Sequence, residues 1–169
     1  MSAPRKQSIT IRAATDDDRD FILSLVPRFV AFPLPRGRRK RATLAAIRTD
    51  LERALRAAPP GDHFFIAAKP DGQPAGFLHL QLQRDFFSGA RACHVSDLAV
   101  APGCDGHGIG RALLAYAQRW ARAQRCSLLT LSVFPGNARA QALYARAGFA
   151  PDLLRMAKPL RQSPGPEKT

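Results

Sequence analysis

Apolar residues recur along this chain at two spacings, and the switches between them mark out its elements. Gln7–Ala13 alternates weakly through Ile9 and Ile11 and reads as a first strand. Phe21, Ile22, Leu25 and Phe29 then fall at helical spacing. Thr15 followed by Asp16, Asp17 and Asp18 supplies the start of that helix, because a hydroxyl satisfies free N–H groups and carboxylates favour the positive end of the helix dipole. Pro33, Pro35 and Gly37 break it. Leu44, Ile47, Leu51 and Leu55 form the stripe of a second helix, and the two prolines and glycine of Ala57–Asp62 make a linker.

His63–Lys69 is a short apolar strand, and Pro70, Asp71, Gly72 and Gln73 supply a turn. Gly76–Gln83 sets Phe77, His79 and Gln81 against Leu78, Leu80 and Leu82, which predicts a strand with one polar face. Phe86, Phe87, Ser88 and Gly89 form an aromatic loop. Ala92–Val100 is the next strand; if regular, His94, Ser96, Leu98 and Val100 share a face and Asp97 points the other way, unless a bulge re-aims it. A helix over Gly108–Gln124, a strand over Ser127–Phe134, a helix capped by Asn137 and ending at Gly148, and a final strand over Leu153–Leu160 complete the chain. Arg161–Thr169 reads as a polar, disordered tail. The order β-α-α-β-β-β-α-β-α-β predicts an α/β (α+β) fold. It has a single mixed, mostly antiparallel sheet with helices on both faces, in one domain over residues 1–160.

Composition narrows the function. A chain of 169 residues suits one domain with a real core. No apolar run approaches the roughly 20 residues of a membrane span, and the basic start MSAPRKQS has no apolar stretch behind it, so no membrane partner or signal peptide is expected. Cys93, Cys104 and Cys126 include no C-x-x-C pair; this fits a reducing, cytoplasmic setting, and no metal site is expected. The net charge of +13 asks for an anion: a phosphorylated cofactor, an acidic substrate or nucleic acid. Arg36–Arg41 is a basic run in an expected loop, either a solvated or acceptor-facing lip or a nucleic-acid patch.

The stretch Val95–Ala115 gives that anion a place. Strand, glycine turn (Gly106, Gly108, Gly110) and helix start put unpaired N–H groups at the positive end of a helix. A Walker A loop requires Gly-Lys-Ser/Thr, whereas Arg111 and Ala112 follow Gly110. A dinucleotide fingerprint wants G-x-G-x-x-G and a later acid to hold a ribose. The spacing here is G-x-G-x-G, and no Asp or Glu lies between Gly106 and Pro151.

Asn137–Phe149, NARAQALYARAGF, adds a second motif. With it the sequence resembles the GCN5-related N-acetyltransferase (GNAT) family: Asp105–Gly110 is similar to that family's Arg/Gln-x-x-Gly-x-Gly/Ala loop, and Asn137, Ala140, Leu143, Tyr144, Gly148 and Phe149 are in register with its N-x-x-A-x-x-L-Y-x-x-x-G-F helix. The resemblance covers about Ala92–Leu160 and implies acetyl-CoA as cofactor. Its diphosphate would meet Gly106, Gly108, Ile109, Gly110 and Arg111, while His107 meets phosphate or solvent. Its arm would lie between the strands ending at Val100 and Phe134, on free backbone groups of Leu98, Ala99 and Val100, with Asn137 pairing to it. Asp105 departs from the family's Arg or Gln, and a carboxylate beside a diphosphate weakens binding unless only backbone meets the ligand there.

The resemblance further implies the Leu98 N–H as oxyanion donor and Tyr144 as general acid, since a phenol of pKa about 10 can protonate a thiolate whose acid has pKa about 8.5. For the general base it points to the positions of Ser96 and His94. His94 leads, with Asp97, His79 and a water chain as alternatives. The implied function is an acetyl-CoA-dependent N-acetyltransferase working by direct attack of a primary amine, either a small molecule or a peptide N-terminus, as a monomer or homodimer. The net charge makes cationic acceptors such as a polyamine or an aminoglycoside poor fits unless a local acidic patch exists, and Asp16, Asp17, Asp18 and Asp20 are the only acidic cluster. The alternative is a binding module of the same fold that uses its basic surface on nucleic acid or a ribosomal partner.

Overall fold

A computed structural model describes residues 9–160. Five strands form one sheet in the order β1-β2-β3-β4-β5: β1 (Thr10–Ala13), β2 (Asp62–Ala68), β3 (Pro74–Arg84), β4 (Arg91–Val100) and β5 (Leu128–Leu131). The first three pairings are antiparallel and β4–β5 is parallel. The parallel crossover is made by α3 (Ile109–Ala123), as a parallel neighbour requires.

Helices cover both faces. The apolar stripe of α3, with Leu113 and Ala117, packs on Leu78, Leu80 and Val95. On the opposite face α1 (Arg19–Ser24), a 3-10 turn over Val26–Val30 and α2 (Lys40–Ala57) bring Ile22, Val26 and Leu51 onto Ile66, Phe77 and Ala99. Full burial of side chains of this size stabilises by about 1.5–3 kcal/mol each, so these two layers fix the sheet on which everything else is mounted. The last helix is α4 (Ala138–Arg146).

Several sequence expectations change. The helix expected to run through Phe29 is a 3-10 turn over Asp16–Asp18, then α1, then the second 3-10 turn, with Pro27 near the start of the last piece, where its missing N–H does no harm. The basic run is split: 36–39 are loop, while Lys40 and Arg41 open α2. The face of β3 expected to be polar is not solvated; His79 is 1% exposed and lies under the ring of Phe64, stacked at 4.0 Å and 11°. No strand forms over Leu153–Leu160, which is irregular with Leu153, Leu154, Met156 and Leu160 exposed. Pro159 removes an N–H donor that a ladder there would use. The expected tail, Arg161–Thr169, and the start of the first expected strand lie outside the described residues.

Candidate active site

The site begins with one extra residue. His79 pairs with Asp97 and Leu80 with Val95, so Ser96 has no partner on β3 and forms a bulge. A bulge bends its strand and shifts the phase of every side chain beyond it. The pairing of β4 with β5 also ends here: it runs from Ala92↔Leu128 to Val95↔Leu131 and stops. Beyond Val95 the two strands part, and Ser96–Val100 face Ser132, Val133 and Phe134 across a cleft of about 1410 Å³.

The ladder tells which backbone groups this gap exposes. The Ala101 N–H donates to the Ala75 carbonyl at 2.8 Å. In an antiparallel pair successive residues alternate between facing the partner strand and facing away. Ala99 and Asp97 therefore turn their N–H and C=O toward β3, and Leu98 and Val100 turn theirs into the gap. The alternation commits Ala99's own polar groups to the sheet, and its side chain is buried in the core.

At the far end of the gap the chain turns into α3. Gly108, at φ +78°, is the N-cap, a left-handed conformation that costs about 1–2 kcal/mol with a Cβ. Gly106, Gly108, Ile109, Gly110 and Arg111 all line the cleft, and His107 does not. Asp105 is not left facing the opening: one of its oxygens, Oδ1, accepts from Arg28 at 2.6 Å and from Arg139 at 2.8 Å. The carboxylate thus ties the 3-10 turn before α2 and the start of α4 to the glycine turn. It also holds two guanidinium groups beside the free amides of α3. Asn137 caps α4 through its side chain, which accepts from the Ala140 N–H at 3.1 Å, and it too lines the cleft.

At the bulge end stands Asp97. Its Oδ2 lies 2.8 Å from Nδ1 of His79, whose Nε2 lies 3.2 Å from Oδ2 of Asp62; Gln81 donates to the other Asp62 oxygen at 3.2 Å. Either tautomer of His79 can donate to one of the two carboxylates. With the ring buried and stacked on Phe64, Asp97 is held in a fixed orientation at the cleft wall. Tyr144, two helical turns after Asn137, lines the same cleft, with its ring edge-on to Phe149 at 6.0 Å. Burial raises the pKa of its hydroxyl, and the carboxylate of Asp97 raises it further, so the phenol keeps its proton at and well above neutral pH.

The bulge corrects the expected grouping on β4. His94 was expected to share a face with Leu98, but the phase shift puts it with Asp97 and His79, and Leu98 and Val100 face α3. His94 does not line the cleft; its Nδ1 lies 2.7 Å from Thr130 Oγ1. Burial lowers its pKa, with Asp97 pulling upward and His79 downward. An unfolded His takes up a proton below about pH 6.5 and the folded one only at lower pH. Stability is therefore expected to fall as pH drops through about 6.5 toward the folded value. His94→Gln should flatten that part of the melting-temperature curve, and parallel curves for variant and wild type would contradict the assignment.

Sequence reasoning missed Arg28, Arg139 and Asp62. Arg28 lies 77 residues from its partner Asp105, and nothing local marks either pairing. Among the described residues no group of His, Cys, Asp and Glu is arranged to hold a metal ion, and no helix is long and apolar enough to cross a membrane. All three cysteines are free, and burial pushes the Cys93 thiol up to about 12, which keeps it unreactive.

Comparison with known proteins adds four findings. A family model described as Acetyltransferase (GNAT) family matches residues 32–149. An aminoglycoside N(6')-acetyltransferase type 1 of Stenotrophomonas maltophilia is 34% identical over 88 residues, 50% of this chain and 58% of that protein. A streptothricin acetyltransferase of Streptomyces lavendulae is 37% identical over 86 residues, 51% of this chain and 43% of that one. The chain spans about half the length of these curated relatives. Among solved structures, an aminoglycoside N-acetyltransferase in complex with CoA superimposes with a TM-score of 0.66 at 22% identity, over 95% of this chain and all of that one; at that identity the likeness is one of fold.

Proposed function

The chain belongs to the GNAT acetyltransferase family, and from that premise we propose that it moves an acetyl group from acetyl-CoA to a primary amine by direct attack on the thioester. The observation that carries this reading is the gap between β4 and β5, where Leu98 and Val100 offer free backbone groups and a cationic, amide-rich turn lies at one end. Those features suit an extended, phosphate-bearing thioester. The anionic end meets the N-terminus of α3, Arg28 and Arg139, and the arm meets the Leu98 and Val100 backbone. When bound, acetyl-CoA supplies the activated acyl group; the named relatives are acetyltransferases, and one similar structure holds CoA.

The chain's own residues divide the remaining work. The Leu98 N–H donates into the gap, where a carbonyl oxygen gaining charge needs a fixed donor; one such donor contributes about 3 kcal/mol to the barrier. Tyr144 carries the proton for a departing thiolate. For the general base, the geometry favours Asp97 over His94: Asp97 lines the cleft and is oriented by His79, while His94 is turned to Thr130.

Melting the protein with acetyl-CoA tests the reading. At about a hundredfold excess over Kd, binding adds about 2.7 kcal/mol, a rise of about 5–10 °C for a domain of this size. The same mixture should release free thiol when an acceptor amine is added. No shift at millimolar acetyl-CoA would remove the reading.

A further inference from the structure

The bulge end of the cleft limits which amine can enter. Building on the acetyl-transfer reading, we propose that the acceptor carries a single primary amine on an aromatic or flat apolar body, and that polycations are excluded.

Only two carboxylates among the described residues line the cleft, Asp97 and Asp105. Asp105 is already shared between Arg28 and Arg139. The acidic run Asp16, Asp17 and Asp20 lies outside the cleft, and Asp18 is bonded by both guanidinium nitrogens of Arg12 at 2.7 and 2.8 Å. One carboxylate is left for one ammonium. A second or third ammonium on the same molecule would find arginines instead, since Arg38 stands over the Phe134 ring at 5.2 Å, and Arg111 and Arg146 line the cleft.

Asp97 has the polar His79, Asp62 and Gln81 behind it and apolar walls beyond it along the cleft. Its side chain shares the sheet face of Phe77 and Ala99, where Phe29 packs edge-on to Phe77 at 6.2 Å and Ile47 packs beside it. Phe32 and Phe134 meet at 6.0 Å and close the far wall. That wall is rigid at its base, because a Cβ on Gly136 would lie 2.0 Å from the Pro33 carbonyl oxygen, so the two loops touch backbone to backbone. Rings fixed in this way favour a flat apolar body over a hydroxyl-rich one, whose polar groups would lose water without finding partners. The acceptor chemistry therefore differs from that named for the aminoglycoside acetyltransferase relative.

Thiol release by the full chain with acetyl-CoA, using 2-phenylethylamine against tobramycin and spermidine, tests this. The expected result is kcat/KM at least about tenfold higher for 2-phenylethylamine, with Phe32→Ala raising its KM several-fold while the KM for acetyl-CoA stays put. Equal or better turnover of tobramycin or spermidine would overturn the proposal, as would no turnover of 2-phenylethylamine by protein whose melting temperature still rises with acetyl-CoA. Loss of that cofactor shift is the separate result that would overturn the acetyl-transfer reading, and this inference with it.

Discussion

Tyr144→Phe is expected to lower kcat by about a hundredfold or more, with the KM for acetyl-CoA and the melting temperature near those of the wild type. The substitution removes one oxygen and keeps the ring that meets Phe149 edge-on at the cleft wall, so packing is preserved. What is lost is a proton donor facing the gap. Because burial and Asp97 both raise the Tyr144 pKa, the wild-type hydroxyl stays protonated through the working range. Its ionisation should therefore leave no alkaline limb near neutral pH. Steady-state kinetics on both proteins, with a melt as control, decide the matter. Equal kcat would take Tyr144 out of the acid role, and a fall in cofactor affinity alone would make it a binding residue.

The second large effect is expected for Asp97→Asn. The amide has the shape of the carboxylate, and its oxygen can still accept from His79, so the Asp62–His79 arrangement is kept. It cannot take a proton from an ammonium. At neutral pH kcat/KM should drop by about 10²–10⁴-fold. The deficit should narrow as pH rises toward about 10, where an amine like that of lysine loses its own proton in solution. A deficit of the same size at every pH would mean that Asp97 positions the acceptor without deprotonating it.

The glycine turn and the Asn137–Phe149 helix are legible in the sequence because each is local: a few residues in fixed spacing specify a turn, a cap and a helix face. The two apolar stripes of α2 and α3 are legible for the same reason. The bulge at Ser96 is harder. A strand with period two should not place apolar Val95 and Leu98 on one side of the sheet, and the polar pair Ser96-Asp97 between them is the visible trace of a phase slip. Without the slip, parity assigns His94 to the wrong face. The contacts of Asp105 and His79 leave no trace of this kind. Arg28, Arg139 and Asp62 come from elements far apart in the chain, and only the folded sheet with its packed helices brings them into reach.

Ser96 makes the number of residues in β4 matter more than the identity of this one. It has no partner in the ladder, so many side chains could replace it at little cost. Loss of its codon would let β4 run on in regular register. Asp97 would still sit opposite His79 and Leu98 would still turn its amide into the gap, but β4 would lose the bend at which it parts from β5. Inheritance at this spot is expected to forgive spelling changes and to punish a shortened word.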